Sequence, residues 1–505
     1  MDIVSREIRR AKSAWNIRCG RGGAGFRVRG SGFLFISRGF RATVLPHLWE
    51  LHESGNIRPC GASNHAKEST VGNNIKAAMI GAMVLGMCGA GGVAWGDETT
   101  KAHLLADCSN QFGWSLYQQV AAKDGNVLIS PHSLHAALAM TYLGAKDQTA
   151  KQIADAIQVS GTNITQSEML IGPFLIDAYP ALLHGTPNMA GIAAKHDKAT
   201  DKNFRGFTLN SVNAIWAQRG YPFRKDYLDK VTALFGSGLH EVDFAKDTEA
   251  ARKTIKINGW VEQQTNDKIK DLLAPGTVDM ATAMVLTNAV YFKAKWAEPF
   301  DVRMTTDKPF TLGNGEKISV PTMRDKRFTQ YFEYEGMRAV ELPYAGGGVS
   351  MMIVLPVNGK SLTDVERLLA NGAMKQLLDH GSSRSREVEL SVPRFKFEAN
   401  YDMVPPLQKL GMVDAFDPGK ADFSGIDGTR NMCVALVVHK TFIDVNEKGT
   451  EAAAAVERLY PGCMPTDKPI EFRVDQPFVF VIRHEPTGTV LFVGRVTDPR
   501  PPEVK

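Results

Sequence analysis

The chain has 505 residues, of which 44% are hydrophobic, so it can bury a large core and by length alone form two to four domains. Its formal charge of +5 at pH 7 is concentrated at the start, since the first 75 residues hold ten Arg and two Lys against five acids. The remainder carries 47 basic and 49 acidic residues, and this balance argues against a nucleic-acid partner.

The N-terminal region divides into an arginine-rich extension, residues 1–75, and an apolar segment, residues 76–96. We expect the extension to be a disordered arm, a transit peptide, or sequence upstream of a true start near Val71. The apolar segment, ending in Ala94 and Gly96, is typical of a cleaved secretory signal, so we expect a secreted or periplasmic protein without stable membrane association. A retained membrane anchor is the alternative, because about eighteen apolar residues are the low end of spanning length.

Motifs for enzymatic chemistry are missing from the sequence. A glycine-rich run at residues 20–25 matches the dinucleotide fingerprint, but no strand precedes it and no helix follows. No metal-ligand spacing, phosphate loop or nucleophile elbow occurs, so we expect neither an enzyme nor a cofactor or metal. After removal of the leader, Cys108, Cys433 and Cys463 remain, and three scattered cysteines give no disulfide framework.

Apolar periodicity and punctuation by Gly and Pro predict an alternation of helices and strands along the remaining chain. Ser130 followed by Pro131 marks a helix start, since a serine can cap the first turn and proline needs no partner for a missing N–H. The predicted helices cover residues 112–122, 134–143, 224–235 and 254–273. The predicted strands cover residues 126–129, 211–218, 283–292, 340–342, 349–355, 388–397, 434–445, 470–474 and 489–496, with a turn at 486–488.

The stretch from Glu447 to Pro465 joins two predicted strands and is neither compact nor of low complexity. A connection of this length inside a domain is usually functional. Gly449 and Thr450 introduce four consecutive alanines, which favour helix although both flanks are predicted strands. A surface loop with a nascent helix is the alternative interpretation.

The sequence Glu447-Lys-Gly-Thr-Glu-Ala-Ala-Ala-Ala resembles the hinge of the reactive-centre loop in the serpins, the serine protease inhibitor family. Residues 126–134, 287–296 and 438–450 each resemble a family signature at its expected place. The resemblance covers roughly residues 102–499. It implies one serpin domain over residues 97–505, with a mixed α+β fold in which helices pack around three β-sheets and the loop is exposed. We further expect an inhibitory member from a bacterial source.

The resemblance implies a suicide mechanism. A protease attacks the loop and forms an acyl-enzyme, and the freed hinge then inserts as a new central strand of the main sheet. Residues assigned by this resemblance are the loop hinge (Glu447, Gly449, Thr450, Ala452, Ala453, Ala454, Ala455), the shutter (Ser130, Ser133, Asn288, His439) and the breach (Trp296).

The loop itself poses two questions. Counting from the hinge places the scissile bond at Cys463–Met464, whereas counting back from Pro477 places it near Thr466; we prefer the former. By strand alternation Arg458 shares the inward face with the small residue Thr450, so we expect it to slow insertion and let some protease escape.

The expected partner is a serine, or alternatively a cysteine, endopeptidase. We expect a monomer. One or two short helices are predicted over residues 164–183, and residues 185–205 are polar and rich in turns. We expect no heparin activation, because no cluster of Lys and Arg occurs there. Two rival classes remain. One is a non-inhibitory serpin that acts as a carrier and is cleaved without insertion; the other is a hydrolase, whose turnover would survive loop mutation.

Overall fold

The computed structural model describes residues 95–166, 169, 207–235, 239–252, 256–381, 385–450 and 468–501, together with four short strands before residue 60. Two compact units are present, one of residues 1–93 with 181–192 and one of residues 94–180 with 193–505. In the first, strands β1 (Arg18–Cys19) and β2 (Phe26–Arg27) form one antiparallel pair, and β3 (Trp49–Leu51) and β4 (Ile57–Pro59) form another.

The second unit contains the helices and two large sheets. Helix Asp147–Ala156 is amphipathic, with Thr149, Ile153, Ala154 and Ala156 buried, whereas helix Pro131–Gly144 is buried on all sides. The described α-helices are α1 (Trp95–Val120), α2 (Pro131–Gly144), α3 (Asp147–Ala156), α4 (Lys225–Phe235), α5 (Thr248–Arg252), α6 (Ile257–Gln264), α7 (Leu362–Leu368), α8 (Met374–Gly381), α9 (Val404–Lys409) and α10 (Ser424–Asp427).

The strands of the second unit range in length from two to 18 residues, and most are rich in β-branched and aromatic residues. They are β5 (Val127–Ile129), β6 (Phe207–Gln218), β7 (Leu239–Val242), β8 (Met284–Lys295), β9 (Thr306–Thr311), β10 (Lys317–Tyr334), β11 (Met337–Pro343), β12 (Val349–Pro356), β13 (Ser385–Pro393), β14 (Phe395–Asp402), β15 (Val434–Asn446), β16 (Gly449–Thr450), β17 (Ile470–Arg473), β18 (Phe478–His484) and β19 (Thr489–Val496).

The first large sheet has six described strands in the order β14-β15-β16-β8-β6-β7. The two-residue strand β16 separates β8 from β15 at one end only, and beyond it β8 and β15 pair directly and in parallel. The central strand β8 is buried from Met284 to Phe292, as expected for a strand that is covered on both faces.

The second large sheet has nine described strands in the order β17-β13-β10-β11-β12-β18-β19-β5, with β9 paired to β10. Strand β10 is 18 residues long and belongs to both halves of this sheet. Its first part pairs with β9 and β13, and its last five residues pair with β11. The resemblance predicted three sheets, and the second and third of these are joined here into one continuous sheet.

Helix α2 begins where the sequence predicts. Ser130 has extended backbone angles, and its hydroxyl accepts the amide N–H of Ser133 at 3.4 Å, while Pro131 occupies the first turn. The helix lies under the six-stranded sheet and is buried over nearly its whole length. Its N-terminus therefore supplies polar groups to the interior beside that sheet.

Three predicted elements are wrong in extent. The predicted helix over residues 112–122 is the last part of α1, which begins at Trp95. The predicted helix over residues 254–273 ends at Gln264, because Asn266, Asp267 and Asp271 adopt positive φ angles that no right-handed helix allows. The predicted strand over residues 388–397 is two strands in different sheets, β13 and β14. The chain turns between them at Arg394, whose backbone N–H donates to the carbonyl of Pro321.

No helix in the described part of the chain is long and apolar enough to cross a bilayer. The apolar segment at residues 77–94, on which the signal and anchor interpretations depend, lies outside the described residues.

Candidate functional site

The boundary between β8 and β15, here called the seam, runs through the middle of the six-stranded sheet. Residues Met284–Tyr291 pair in parallel with Val434–Phe442. Both strands continue beyond this ladder, to Lys295 and Asn446, where β16 lies between them and runs antiparallel to each. The two strands of the seam are thus paired directly along most of its length and are separated by β16 at one end. Parallel pairing of this kind is slightly less stable per residue than antiparallel pairing.

Gly449 occupies a position that excludes any side chain. Its φ is +141°, and a Cβ built there would lie 2.1 Å from the carbonyl oxygen of Ala294 and 2.7 Å from the Cα of Lys295. An alanine at this position would collide with backbone on β8, which cannot move aside without disturbing the sheet. Only glycine lets the chain enter between β8 and β15 here.

Thr450 is the next residue and is completely buried. Its hydroxyl lies 2.7 Å from the hydroxyl of Tyr344, whose ring stacks on Trp296 with centroids 4.5 Å apart. The indole N–H of Trp296 donates to the carbonyl of Asn446 at 2.9 Å. The residue predicted for the breach therefore lies beside the entry point of the hinge.

Glu447 anchors the chain before it enters the seam. Its carboxylate is buried and accepts from the guanidinium of Arg394, with the Nε bond at 2.8 Å, and from the hydroxyl of Thr305. Its backbone carbonyl accepts the N–H of Phe300 at 2.8 Å. Burial alone would raise the pKa of Glu447, but the bonds from Arg394 and Thr305 lower it below the ordinary value. A charged Glu447 thus holds the hinge.

The predicted shutter residues meet at one point of the seam. His439 on β15 and Asn288 on β8 are register partners, and both are fully buried. The N–H of Ser130 donates to His439 Nε2 at 3.0 Å, so the proton of the neutral ring is on Nδ1, which donates to Asn288 Oδ1. Burial lowers the pKa of His439 to about 3, although the bond to Asn288 opposes the shift.

The remaining polar groups extend this network away from the seam. The side-chain amide of Asn288 donates to Ser133 Oγ at 2.6 Å and to Asn213 Oδ1 on β6. Ser130 Oγ donates to the carbonyl of Leu491 at 2.7 Å. Every predicted shutter side chain is therefore hydrogen-bonded, and the bond from His439 to Asn288 is the one that crosses the seam.

A second set of hydrogen bonds, which the sequence did not reveal, lies on the opposite face of the seam. Residues Lys268–Leu273, here called the strap, follow α6 and precede β8. The buried amine of Lys440 on β15 donates to the carbonyl of Lys270 at 2.8 Å and lies 3.4 Å from the Glu398 carboxylate. Asn400 on β14 donates to the carbonyl of Leu272 at 3.3 Å. A lysine inside an apolar strand was the available signal.

The strap is also tied to the other side of the seam. Asn258 of α6 exchanges two hydrogen bonds with Leu273, at 2.9 and 3.0 Å. Trp260 of the same helix contacts Trp216 of β6 edge to face, with ring centroids 5.4 Å apart. Separation of β8 from β15 must therefore break the bond from Lys440 or shift the strap.

Several predicted site residues lie outside the described residues. They are Ala452, Ala453, Ala454, Ala455, Cys463 and Met464. Within the described part of the chain, no group of three or more His, Cys, Asp or Glu side chains is arranged to hold a metal ion. Cys108 and Cys433 are free thiols there, and burial raises the pKa of Cys108 to about 11, so it is an unreactive thiol.

The comparisons with known proteins agree with this geometry. The family model described as Serpin (serine protease inhibitor) matches residues 107–499. The chain is 37% identical over 381 residues to the leukocyte elastase inhibitor of Bos taurus, covering 74% of this chain and 93% of that one. It is 34% identical to Serpin B3 of Homo sapiens, covering 78% and 99%. The chain therefore belongs to the serpin family.

Solved structures confirm the predicted fold. Uncleaved ovalbumin matches with a TM-score of 0.64 and 29% identity, covering 78% of this chain and 99% of that one. The thermophilic serpin tengpin in its native state matches with a TM-score of 0.65 and 27% identity, covering 77% and 93%.

The names of the relatives support protease inhibition in general and a protease as partner, so the chain is not an enzyme. The expected bacterial source gains no support, because the relatives with the strongest matches come from animals and archaea.

Proposed function

We propose that this protein traps an endopeptidase by taking its own cleaved reactive-centre loop into the seam between β8 and β15. The observation that carries the proposal is β16. Two hinge residues already lie between the two strands and are hydrogen-bonded to both. A strand that continued from β16 would replace one parallel ladder by two antiparallel ladders, which are more stable per residue.

The register of β16 predicts which residues each loop position meets. Because Thr450 pairs with Val445 and Ala294, residue 456 would face His439 and Asn288. Val456 must therefore displace the bond between these two side chains. Residue 461 would face Val434, where β15 begins. A complete insertion needs residues 450–461, and a bond at Cys463–Met464 lies just beyond that length, as a bond near Thr466 also does.

Arg458 is the weak point of the proposed insertion. The same register places it opposite Val437 and Leu286, both of which are fully buried. A guanidinium that enters this apolar core without a partner is costly, so the last third of the insertion is slow. Cleavage at Arg458 itself would leave a strand three residues short of Val434, so we expect that cut to inactivate the inhibitor.

For the target we propose a serine endopeptidase of the elastase type. The relative from Bos taurus and another from Rattus norvegicus carry the names leukocyte elastase inhibitor and leukocyte elastase inhibitor A. Cys463 is a small apolar residue that suits the small specificity pocket of elastase. The test is incubation with leukocyte elastase, chymotrypsin, trypsin and papain, followed by denaturing electrophoresis. A covalent complex that resists denaturation supports the proposal; cleavage without any complex contradicts it.

The second candidate is a non-inhibitory serpin that is cleaved without insertion, and Arg458 is the observation that favours it. The variant Thr450→Arg separates the two. In an inhibitor it converts the protein to a substrate, because an arginine replaces a buried threonine at the entry to the seam. In a carrier it leaves ligand binding and cleavage unchanged.

We also propose that residues 76–96 are a cleaved signal and that the mature protein is an extracellular or periplasmic monomer. Lys76 and the apolar residues behind it support this layout. N-terminal sequencing of the exported protein tests it, with a start close to Asp97 as the expected result. A product that stays in the membrane fraction with residues 76–96 attached contradicts it.

A further inference from the structure

Three aromatic rings meet at the edge of the six-stranded sheet, on the face that carries α6. Trp216 of β6 and His240 of the edge strand β7 are register partners, and their rings stack with centroids 4.6 Å apart. The ring of Trp260 on α6 lies 5.1 Å from that of His240 and 5.4 Å from that of Trp216. Each ring thus contacts the other two, and the three together, here called the ring clamp, hold α6 on the edge of the sheet.

Helix α6 and the strap form one packed unit over the seam. The buried hydroxyl of Thr265 donates to the carbonyl of Val261 at 2.8 Å and accepts the N–H of Ile269 at 3.2 Å. The two bonds between Asn258 and Leu273 join the far end of the strap to the same helix. Buried apolar side chains of this unit pack in one cluster with side chains from both strands of the seam: Ile257, Val261, Ile269, Leu272 and Leu273 with Val285 of β8 and Val438 of β15.

The unit is anchored on both sides of the seam. On the β15 side, Lys440 and Asn400 bond to carbonyls of the strap. On the β8 side, the ring clamp holds α6 on β6 and β7. A strand inserted between β8 and β15 would move them apart by about 4.8 Å, and the register of β16 places residue 455 of that strand against Lys440. One of the two anchors must therefore be released before insertion passes that point.

The ring clamp is the anchor that is easier to release. Lys440 is buried, so its release would leave an ammonium group without the carbonyl that it now bonds. His240 and Trp260 are only half-buried. The Nε2 atom of His240 is buried and has no hydrogen-bond partner among the residues that the structure describes. Release would give this nitrogen water as a partner, which offsets part of the lost ring contacts.

Burial lowers the pKa of His240 below its ordinary value of 6.5. The charged residues described on the surrounding elements do not contribute to this shift; Glu241, for example, lies on the opposite face of β7. These residues are Arg219 after β6, Glu241 and Asp243 at β7, Glu249 and Arg252 on α5, Lys256 and Glu262 at α6, Lys268, Lys270 and Asp271 on the strap, and Lys225, Asp226, Asp229 and Lys230 on α4.

We propose that the ring clamp is an acid-sensitive latch on loop insertion, with His240 as the positioning residue that keeps α6 and the strap over the seam. The inference rests on the proposed function, because it concerns insertion between β8 and β15. A protonated His240 carries an N–H on Nε2 that has no described acceptor inside the clamp, so protonation favours the released state. The released state binds more protons below about pH 6.5, and acid therefore speeds insertion.

The experiment measures how fast a synthetic peptide of residues 450–461 enters the seam at pH 7.5, 6.5 and 5.5, with a raised thermal midpoint of the protein as the sign of entry. His240→Phe keeps a stacked ring and removes the titratable group. The control is His103→Phe, at an exposed histidine on α1. The unaltered chain should accelerate as the pH falls, through His240 and through His439. We expect His240→Phe to lose about fivefold of that acceleration between pH 7.5 and 5.5, and His103→Phe to lose none.

A second variant tests the stacking itself. His240→Ala removes the ring, so we expect the peptide to enter about fivefold faster at pH 7.5. The latch is overturned, while the proposed function stands, if His240→Phe and the unaltered chain show the same pH profile, or if His240→Ala leaves the rate at pH 7.5 unchanged. If the peptide does not enter the unaltered chain at any pH, the proposed function fails, and the latch fails with it.

Discussion

The two ends of the seam differ in what lies between β8 and β15. At one end the chain itself fills the gap, with Gly449 fitted against the β8 backbone and Thr450 bound to Tyr344. Further along the gap is closed, with the bond from His439 to Asn288 on one face and the bond from Lys440 to the strap on the other. In the proposed mechanism, the seam begins to open at the end that holds β16 and resists opening at the other, so the hinge can be held ready without inserting.

The largest expected effect comes from blocking the open end. Thr450→Arg places a guanidinium in a site with no exposed surface, so we expect trapping of protease to fall at least about tenfold while cleavage continues. Covalent complex per cleaved molecule is the measurement. The matched control is Thr450→Val, which keeps the shape, loses one hydrogen bond of about 1 kcal/mol and should still trap. Equal trapping by all three proteins would contradict the role of β16.

Acid should destabilise the closed end of the seam, where His439 bonds to Asn288. Because burial lowers the pKa of His439 to about 3 from an ordinary value near 6.5, the unfolded chain binds a proton that the folded chain does not. The free energy of unfolding therefore falls as pH drops from about 6.5 towards 3, by about 2 kcal/mol at pH 5 from this residue. Denaturant unfolding of the intact chain at pH 7.5, 6 and 5 measures it.

Two other buried histidines, His132 and His135, have their pKa lowered by burial to about 3 and about 4, so they act in the same direction. The variant His439→Gln separates the contribution of His439 from that of the other two histidines, because it should lower the number of protons taken up on unfolding by about one. If the free energy of unfolding does not change between pH 7.5 and 5, His439 is not the neutral, hydrogen-bonded ring described here.

Removing the bond between Lys440 and the strap should have a smaller effect, again at the closed end of the seam. Lys440→Met removes the bond to Lys270 but keeps the length and apolar stem of the side chain. We expect a peptide of residues 450–461 to enter the seam about fivefold faster, the equivalent of about 1 kcal/mol for one hydrogen bond. Lys396→Met is the control, since Lys396 is exposed and pairs with Asp444 across β14 and β15, which stay together. No difference between the two variants would remove the strap from the mechanism.

The smallest expected effect is at Arg458. Arg458→Val should speed the final part of insertion and lower the fraction of loop that is cleaved without trapping, by about twofold. The ratio of inhibitor consumed to protease trapped measures it. An unchanged ratio would show that the arginine reaches solvent and does not oppose insertion.

Local signals in the sequence predicted much of this molecule. The Ser130–Pro131 pair located the start of α2 because capping depends on neighbours in the chain. The apolar run over residues 283–292 located β8 because a strand covered on both faces has no polar side. The hinge was found through its resemblance to a family motif, and the structure places Gly449 and Thr450 between β8 and β15.

What the sequence could not predict depends on residues distant in the chain. Arg394 and Glu447 are 53 positions apart, and Lys440 and Lys270 are 170 apart, so no local pattern links them. The strap was predicted as helix because its apolar spacing fits one. The helix ends at Gln264, and positive φ angles follow at Asn266, Asp267 and Asp271. Asn258 of the helix bonds to Leu273 at the end of the strap, a contact that no local pattern predicts.

The central claim is that the loop is more stable inside the seam than outside it. The most direct test cuts the loop of the purified protein and compares the thermal unfolding of cut and intact samples. About ten new ladder hydrogen bonds at about 1 kcal/mol each should raise the midpoint by at least about 10 °C. Cut and intact samples that unfold at the same temperature would contradict the claim.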